Sequence, residues 1–251
     1  MLILLPPSET KRAGGTGRFL SLDDLRYPEL TEARQLLTDD VVNLAADRDA
    51  TIAALKLGPK QHAEVEVNRQ LWQSPTMPAL DRYTGVLFDA LDAGSLDAES
   101  REFAAHHVVV HAALFGPVGA LDPIPAYRLS HDSKIPGRPM KRHWKSVVAE
   151  VLAQHIGLVL DLRSEAYVAL GAAPSTPNSF YLRVLTEGPN GSRRALNHFN
   201  KKAKGEFTRA ILQSRIVFAT VDELAAWAPT AGFRVERLSP ESGAQELALV
   251  V

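Results

Sequence analysis

The 251-residue chain contains no cysteine, and this absence excludes several kinds of protein. Without thiols there can be no disulfide, no thiolate nucleophile and no cysteine-ligated zinc or iron–sulfur cluster. Long apolar runs are also missing. The opening segment Met1–Leu5 is stopped by Pro6 and Pro7, and no run approaches the ~18 apolar residues of a membrane span. We therefore expect a cytoplasmic protein that makes no membrane contact.

The chain has almost no net charge, but its charges are unevenly distributed. The formal net charge is −1 at pH 7. From Lys134 to Arg215 there are 14 lysines and arginines against 5 acidic residues, whereas the rest of the chain has 14 against 24. Such a segment predicts a surface for a polyanion or a pocket for a phosphorylated or carboxylated small molecule. An ordinary solvated face would show the same pattern.

Hydrophobic periodicity predicts a mixed fold with a substantial core. Helices are predicted over Glu29–Ala46, Asp49–Leu57, Lys60–Trp72, Pro78–Leu91, Asp97–Leu114, Met140–Ile156, Lys201–Val217 and Asp222–Trp227. Strands are predicted over Met1–Leu5, Leu158–Leu162, Phe180–Leu185, Ala195–Phe199, Phe233–Leu238 and Glu246–Val251, with a hairpin turn at Gly188–Gly191. No repeat or linker interrupts them. The sequence thus predicts one compact α+β domain over residues 1–251, helix-rich in its first half, with strands mostly in its second half.

The densest basic cluster opens the last long helix. Arg193 and Arg194 precede it, and Lys201, Lys202 and Lys204 occupy its first turns. A helical projection puts an apolar stripe on one side and these lysines on the other. Cations at a helix N-terminus oppose the helix dipole, whereas anions bind there. An anionic ligand therefore explains the lysines better than a contribution to stability does.

A second element combines glycines and prolines after a predicted helix. Gly116 and Gly119 form a Gly-x-x-Gly sequence, and tight turns of this kind can expose backbone N–H groups. In a helix–hairpin–helix, such N–H groups hold a DNA phosphate. The same pattern is common in ordinary turns.

His107 and His111, at i and i+4 of a predicted helix, have the spacing of metal ligands. No neighbouring carboxylate completes a set, so we predict no metal and no cofactor.

Six segments in chain order carry a resemblance to a known family. They are Leu5–Lys11, Tyr83–Gly85, Leu114–Leu129, Trp144, Leu162–Tyr167 and Lys201–Gly205. By these segments the chain resembles the peroxide-stress protein YaaA family. It departs from the family pattern at Gly119-Ala120, where the family has Arg-Pro, and at Ala126 and Ala166, where it has Pro and Glu.

The resemblance implies a compact mixed α/β fold with a positively charged cleft and a helix–hairpin–helix-like element. It also implies binding to duplex or structured DNA, and protection from hydrogen peroxide by limiting free iron and DNA damage. Because the arginine of the glycine loop is missing, the lysine helix is the better candidate for contacting DNA. We expect a monomer.

The same polar residues also suit an enzyme pocket, so the sequence leaves open whether the protein is an enzyme. Glu165 would serve as a general base if it were buried. The alternatives are structural: Ser164 as a helix cap, Arg128 paired with Asp122, and Tyr83 in the core. The candidate catalytic residues are Lys11, Tyr83 and Glu165; the DNA- or anion-binding candidates are Lys201, Lys202, Lys204, Arg209, Arg128, Gly116 and Gly119; the pocket candidates are Ser8, Thr84, Tyr127, Ser164 and Tyr167.

Two classes of function therefore remain. One is a DNA-binding stress protein, and the other is an enzyme acting on a nucleotide-like or other anionic small molecule. A groove about 20 Å wide would favour the first, and an enclosed pocket of roughly 300–1,000 Å³ would favour the second. We predict that Lys11, Tyr83, Arg128, Ser164 and the Lys201–Lys204 turn converge on one cleft.

Overall fold

The computed structural model of the protein describes residues 1–187, 193–195, 199–238 and 245–251. The helices are α1 (Thr31–Leu44), α2 (Arg48–Leu55), α3 (Glu64–Arg69), α4 (Ala79–Arg82), α5 (Val86–Leu91), α6 (Ala98–His107), α7 (Met140–Ala153), α8 (Glu165–Val168), α9 (Phe199–Ser214) and α10 (Val221–Trp227). The strands are β1 (Leu2–Leu5), β2 (Met77–Pro78), β3 (Val108–Ala112), β4 (Gly116–Gly119), β5 (Pro123–Ile124), β6 (Val159–Asp161), β7 (Ser179–Glu187), β8 (Arg193–Ala195), β9 (Arg234–Leu238) and β10 (Glu246–Val250). Short 3₁₀ turns lie at Leu22–Asp24, Pro28–Leu30, Pro59–Gln61, Leu71–Gln73, Ala93–Ser95 and Ala228–Ala231.

A largely parallel sheet organises the fold. Within the described ranges its strand order is β4-β3-β1-β6-β7-β10-β9, and β8 pairs with the end of β7. Strands β3, β1, β6, β7 and β10 are parallel to their neighbours along this path, whereas β4 and β9 are antiparallel edges. The predicted strand at Met1–Leu5 is confirmed as β1. It is buried along its whole length, because a parallel strand is covered on both faces and must be apolar throughout.

Helix α9 packs closely on α5, and a glycine makes this approach possible. A Cβ atom on Gly205 would lie 2.2 Å from the carbonyl oxygen of Leu87, so an alanine would not fit without a shift of one helix. Ala203 and Phe207 are buried on the inner side of α9, as the periodicity predicted. The contact fixes the N-terminal turns of α9 beside the start of α5.

The predicted helix Pro78–Leu91 is broken in two. Helix α4 ends at Arg82 and α5 begins at Val86, and Gly85 between them has a φ of 96°. This value lies in the region that glycine adopts without steric cost. The break turns the Tyr83-Thr84-Gly85 segment out of helical structure.

The residues expected to form a helix–hairpin–helix form a β-hairpin instead. Helix α6 ends at His107, and the β-branched run from Val108 to Val110 continues as buried strand β3. Gly116 and Gly119 open and close the antiparallel strand β4, which is buried throughout. Their N–H groups are therefore not displayed to a phosphate. Gly116 has a positive φ of 64° and packs against the Trp144 ring. Gly119 does not have a positive φ.

The expected single mixed domain is confirmed. More of its strands pair in parallel than is typical of an α+β fold. The turn predicted at Gly188–Gly191 lies outside the described residues. The strand predicted at Ala195–Phe199 lies partly outside them, and α9 already includes Phe199. Among the described helices, none is long and apolar enough to cross a membrane.

Candidate functional site: a cleft at the switch point of the sheet

The strand order places a crevice between the carboxyl ends of β1 and β6. From β1 the chain moves to β3 on one side of the sheet, whereas from β6 it moves to β7 on the other side. The segments that leave these two strands diverge, and ligands of open α/β sheets bind in crevices of this kind. A cavity of about 770 Å³ lies here, lined from β1 by Pro6–Thr10 and from β6 by Leu162 and Ser164–Tyr167. We call this cavity the cleft.

Hydroxyl-bearing residues from several chain segments line the cleft. Ser8 and Thr10 lie 3.2 Å apart at their hydroxyl oxygens, and the Thr10 hydroxyl donates to the Thr84 carbonyl at 3.3 Å. The Thr84 N–H donates in turn to the Thr10 carbonyl. These bonds connect the segment after β1, residues 6–11, to the start of α5; we call this segment the β1 loop. Ser164 precedes α8, and its side chain makes no capping hydrogen bond, so the predicted cap is not formed.

Helix α9 points its N-terminal end at the cleft. Asn200, Lys201 and Lys204 line the cavity. The first N–H groups of a helix lack partners within it, and the dipole makes this end positive. Helices α5 and α8 also begin at the cleft wall, at Val86 and Glu165. The arrangement favours an anion.

The two cleft lysines of α9 differ in burial. Lys201 is exposed and has no ion pair with a described residue. Lys204 is only 5% exposed, and its Nζ donates to the Leu162 carbonyl at 2.9 Å. Desolvation lowers the pKa of Lys204 to about 8, while Asp161 opposes this shift. The helical projection, which put all three lysines on the face opposite the apolar stripe, is thus wrong about Lys204, because its side chain is buried against the residue that follows β6.

Two other predicted anion-binding residues lie outside the cleft. Lys202 is exposed and pairs with Glu206 at 3.4 Å. Arg209 donates to the carbonyls of Leu91 and Asp92, at the C-terminal end of α5. Neither residue lines the cavity, and Arg209 connects α9 to the end of α5.

Lys11, Tyr83 and Tyr127 support the β1 loop from behind. The Lys11 Nζ donates to the carbonyls of Ser8 and Glu9, at 3.1 and 3.4 Å, and lies 4.0 Å from the centre of the Tyr127 ring. Desolvation lowers the pKa of Lys11 to about 7, with Arg128 adding to the effect. The Tyr83 and Tyr127 hydroxyls share a 2.8 Å hydrogen bond, and burial raises the pKa of both. The core alternative for Tyr83 is confirmed, and a catalytic role for Lys11 stays a prediction.

Arg128 also braces this loop. Its guanidinium pairs with Glu9 at 2.9 Å, and its backbone N–H donates to Asn68. The alternative pairing with Asp122 is wrong, since the Asp122 carboxylate accepts from the backbone N–H groups of Arg26 and Gly119.

Glu165 does not meet the condition set for a general base. Its side chain is 77% exposed and pairs with Arg183 at 3.3 Å. Arg183 also holds Glu246 with two hydrogen bonds of 2.7 Å. Tyr167 is buried in the cleft wall, with its ring edge-on to His131 at 5.4 Å.

Behind this wall lies a buried polar network that the sequence did not predict. Arg163 binds Asp161 through both carboxylate oxygens and donates to His111 Nδ1 at 2.7 Å. Burial lowers the pKa of His111 well below its usual range. His107 ends α6 and His111 lies in β3, so the two do not share a helix face. No group of potential metal ligands occurs among the described residues.

Of the residues predicted to converge on one cleft, Ser164, Lys201 and Lys204 line it, whereas Lys11, Tyr83 and Arg128 do not. Ser8, Thr84, Ser164, Glu165, Tyr167, Lys201 and Lys204 line the cleft. Lys11, Tyr83, Tyr127 and Arg128 lie directly behind its β1 loop. Lys202, Arg209, Gly116 and Gly119 do not line the cleft.

Sequence reasoning missed Thr10, His131 and Arg183, which also line the cleft. Thr10 was within reach, since it lies two residues after Ser8 in the same loop. The alternation of polar and apolar residues along β7 could have indicated Arg183, since it occupies one of the less buried positions of that strand.

The fold and the cleft define an α/β protein whose candidate ligand site is a polar crevice at the switch point of its parallel sheet. A family model described as peroxide stress protein YaaA matches residues 1–238, and the chain belongs to this family. A UPF0246 protein of Corynebacterium glutamicum (strain R) is 41% identical over 94% of this chain and 95% of its own length. A UPF0246 protein of Streptomyces coelicolor is 38% identical over 100% of this chain and 98% of its own. Membership supports a role in peroxide stress.

Proposed function

We propose that this protein acts in the cytoplasm during peroxide stress and that its cleft holds phosphate groups of DNA. Limiting free iron and DNA damage is the role that the family resemblance implies. The observation that carries the proposal is the meeting of Lys201, Lys204 and the α9 N-terminus with serine and threonine hydroxyls at one crevice.

Each part of the cleft matches a phosphate. Lys201 offers an ammonium group with no described ion-pair partner, and Lys204 lies one helical turn deeper. Serine and threonine hydroxyls and helix N-termini are the other usual donors to phosphate oxygens. Arg128 pairs with Glu9 and so reduces the repulsion between that carboxylate and an anion. Glu165 shares Arg183 with Glu246, so its charge is offset only in part.

The size of the cleft favours a second candidate for the same site. Its volume of about 770 Å³ lies within the roughly 300–1,000 Å³ of small-molecule pockets. The ligand in that case is a nucleotide-like or other anionic small molecule. An enzymatic reaction would then require a group such as Lys11 to reach the substrate.

Fluorescence anisotropy on a duplex and on a single strand of equal length, at several salt concentrations, tests the first proposal. The logarithm of the binding constant should fall linearly with the logarithm of salt concentration, with a slope of about −0.9 for each phosphate contacted on the duplex. Lys201→Glu should weaken binding and make the slope shallower by about one contact or more. The matched control is Lys202→Glu, which reverses the same charge one residue further, outside the cleft. Absence of binding at low salt, or equal effects of the two variants, would contradict the proposal.

A further inference from the structure

A second cavity adjoins the cleft on the exposed face of β7. Its volume is about 570 Å³, and it lies between β7, the start of β10 and the segment that follows α8. Three residues belong to both cavities: Glu165, Tyr181 and Arg183. The Glu165–Arg183 ion pair therefore stands at the boundary between them.

The two cavities differ in chemistry. The cleft has two lysines, whereas the described lining of the second cavity contains no lysine. About half of the residues in that lining are apolar or aromatic, and the others are polar or charged, among them the carboxylates Asp161 and Glu246. It includes Val168, Ala172, Ala173, Pro174, Pro177 and Phe180. Glu246 contributes a carboxylate already occupied by Arg183. Such a cavity suits a flat, uncharged ring rather than a second anion.

We propose that the cleft and the second cavity together bind a nucleoside phosphate. The phosphate lies at the α9 lysines, and the base enters the second cavity. The sugar then crosses the boundary, where the exposed carboxylate of Glu165 can accept a hydrogen bond from a ribose hydroxyl. Carboxylates hold the ribose in this way at the switch points of other nucleotide-binding sheets. The inference rests on the proposed phosphate site, and it adds that the group attached to the phosphate is a nucleoside, with its base in the second cavity.

One chemistry has two possible sources. The nucleoside phosphate is either a free ribonucleotide or an unpaired nucleotide of a DNA strand, since both present a base next to a phosphate. Only the free ribonucleotide offers Glu165 a sugar hydroxyl, because deoxyribose within a strand has none. A base inside an intact duplex cannot enter a cavity of this kind without leaving the stack.

Isothermal titration calorimetry with inorganic phosphate, adenosine and the four ribonucleoside 5′-monophosphates tests the free-nucleotide arm. At least one monophosphate should bind tenfold or more tightly than either inorganic phosphate or adenosine. Anisotropy with a ten-nucleotide single strand and the matching duplex tests the strand arm.

The diagnostic variant is Ala172→Trp. Ala172 is exposed and lines the second cavity, so an indole there should fill it without disturbing the core. Asn178→Trp is the matched control, since Asn178 is exposed in the same segment but does not line the cavity. Ala172→Trp should reduce the affinity for the monophosphate or the single strand tenfold or more, and leave the affinity for inorganic phosphate unchanged. Asn178→Trp should change neither.

The outcomes separate the two levels of the hypothesis. If Ala172→Trp weakens the binding of a free nucleotide, the site belongs to a small molecule. If Ala172→Trp weakens the binding of the single strand alone, the site belongs to an unpaired base. If inorganic phosphate or duplex DNA binds and is lost in Lys201→Glu, but no nucleotide or single strand responds to Ala172→Trp, the inference fails and the phosphate site survives. If no phosphate-bearing probe binds at all, both fail.

Discussion

Two long helices of this protein begin with lysines, but only one of them begins at a cleft. Helix α7 carries Lys141, Arg142 and Lys145 in its first turns, and all three side chains are exposed. We call these three residues the α7 patch. None of them has an ion pair with a described residue, and the depression around them is lined by α7 and Pro139 alone. At the start of α9, by contrast, the lysines face loops that follow β1 and β6 and the beginning of α5.

The difference shows that basic residues at a helix start do not identify a site by themselves. Both helices place cations against their own dipole, so the dipole argument applies equally to both. The depression at the α7 patch is as large as the cleft, at about 780 Å³, so volume does not separate the two. What distinguishes α9 is the convergence of other chain segments, which supply hydroxyls. The account therefore predicts that anion binding depends on the cleft and only weakly on the α7 patch.

The largest expected effect comes from charge changes at these two helix starts. Lys201→Glu combined with Lys204→Met should reduce the affinity for inorganic phosphate at least about 100-fold, since a hydrogen bond to a charged group contributes roughly 1.5–3 kcal/mol. Methionine is used at position 204 because that side chain is buried. The triple variant Lys141→Glu, Arg142→Glu, Lys145→Glu should change the affinity no more than about threefold. Calorimetry on both variants measures this, and a larger loss in the triple variant would reverse the comparison.

The next effect concerns the packing that positions α9. Gly205→Ala should destabilise the protein by about 1–3 kcal/mol, because the new methyl group meets the Leu87 carbonyl and over-packing of this kind strains the core. Urea denaturation measures the loss. Gly94→Ala is the control, since a Cβ there meets nothing within 4 Å. Equal stability of the two variants would mean that the close approach of α9 to α5 is not needed.

A smaller effect is expected from pH. Lys204 has a pKa of about 8, so without ligand it loses its proton between pH 7 and pH 9. When an anion is bound beside it, Lys204 stays protonated over this range. By linkage, the affinity for sulfate, whose charge is constant over this range, should fall roughly tenfold from pH 7 to pH 9. Lys204→Met should bind sulfate more weakly and lose most of this dependence. Calorimetry at the two pH values decides, and an unchanged slope in the variant would place the titrating group elsewhere.

The sequence predicted elements better than their geometry. Strand β1 and helices α1, α7 and α9 were identified from periodicity, because each buries a continuous run or stripe. The break at Gly85 and the strand β3 were missed, because the helical pattern continues through both segments. There the tertiary contacts with the β1 loop and the sheet prevail over local propensity.

The candidate site was predicted by residue type and only partly by orientation. Ser8, Thr84 and Ser164 follow strands or precede helices, and such positions line crevices in α/β folds. Lys204 and Lys202 are two residues apart, yet one is buried beside Leu162 and the other is solvated. A helical projection gives the relative angles of the side chains, but it does not show which part of the protein covers each face of the helix. The difference in burial between Lys202 and Lys204 could therefore be seen only in the structure.

The most direct test of the central claim is a crystal of the protein soaked in tungstate, a heavy analogue of phosphate. Anomalous difference density locates the anion without reference to affinity. We expect the strongest peak in the cleft, within hydrogen-bonding distance of Lys201 or Lys204 and near the hydroxyls of Ser8 or Ser164. A strongest peak at the α7 patch, with none in the cleft, would contradict it.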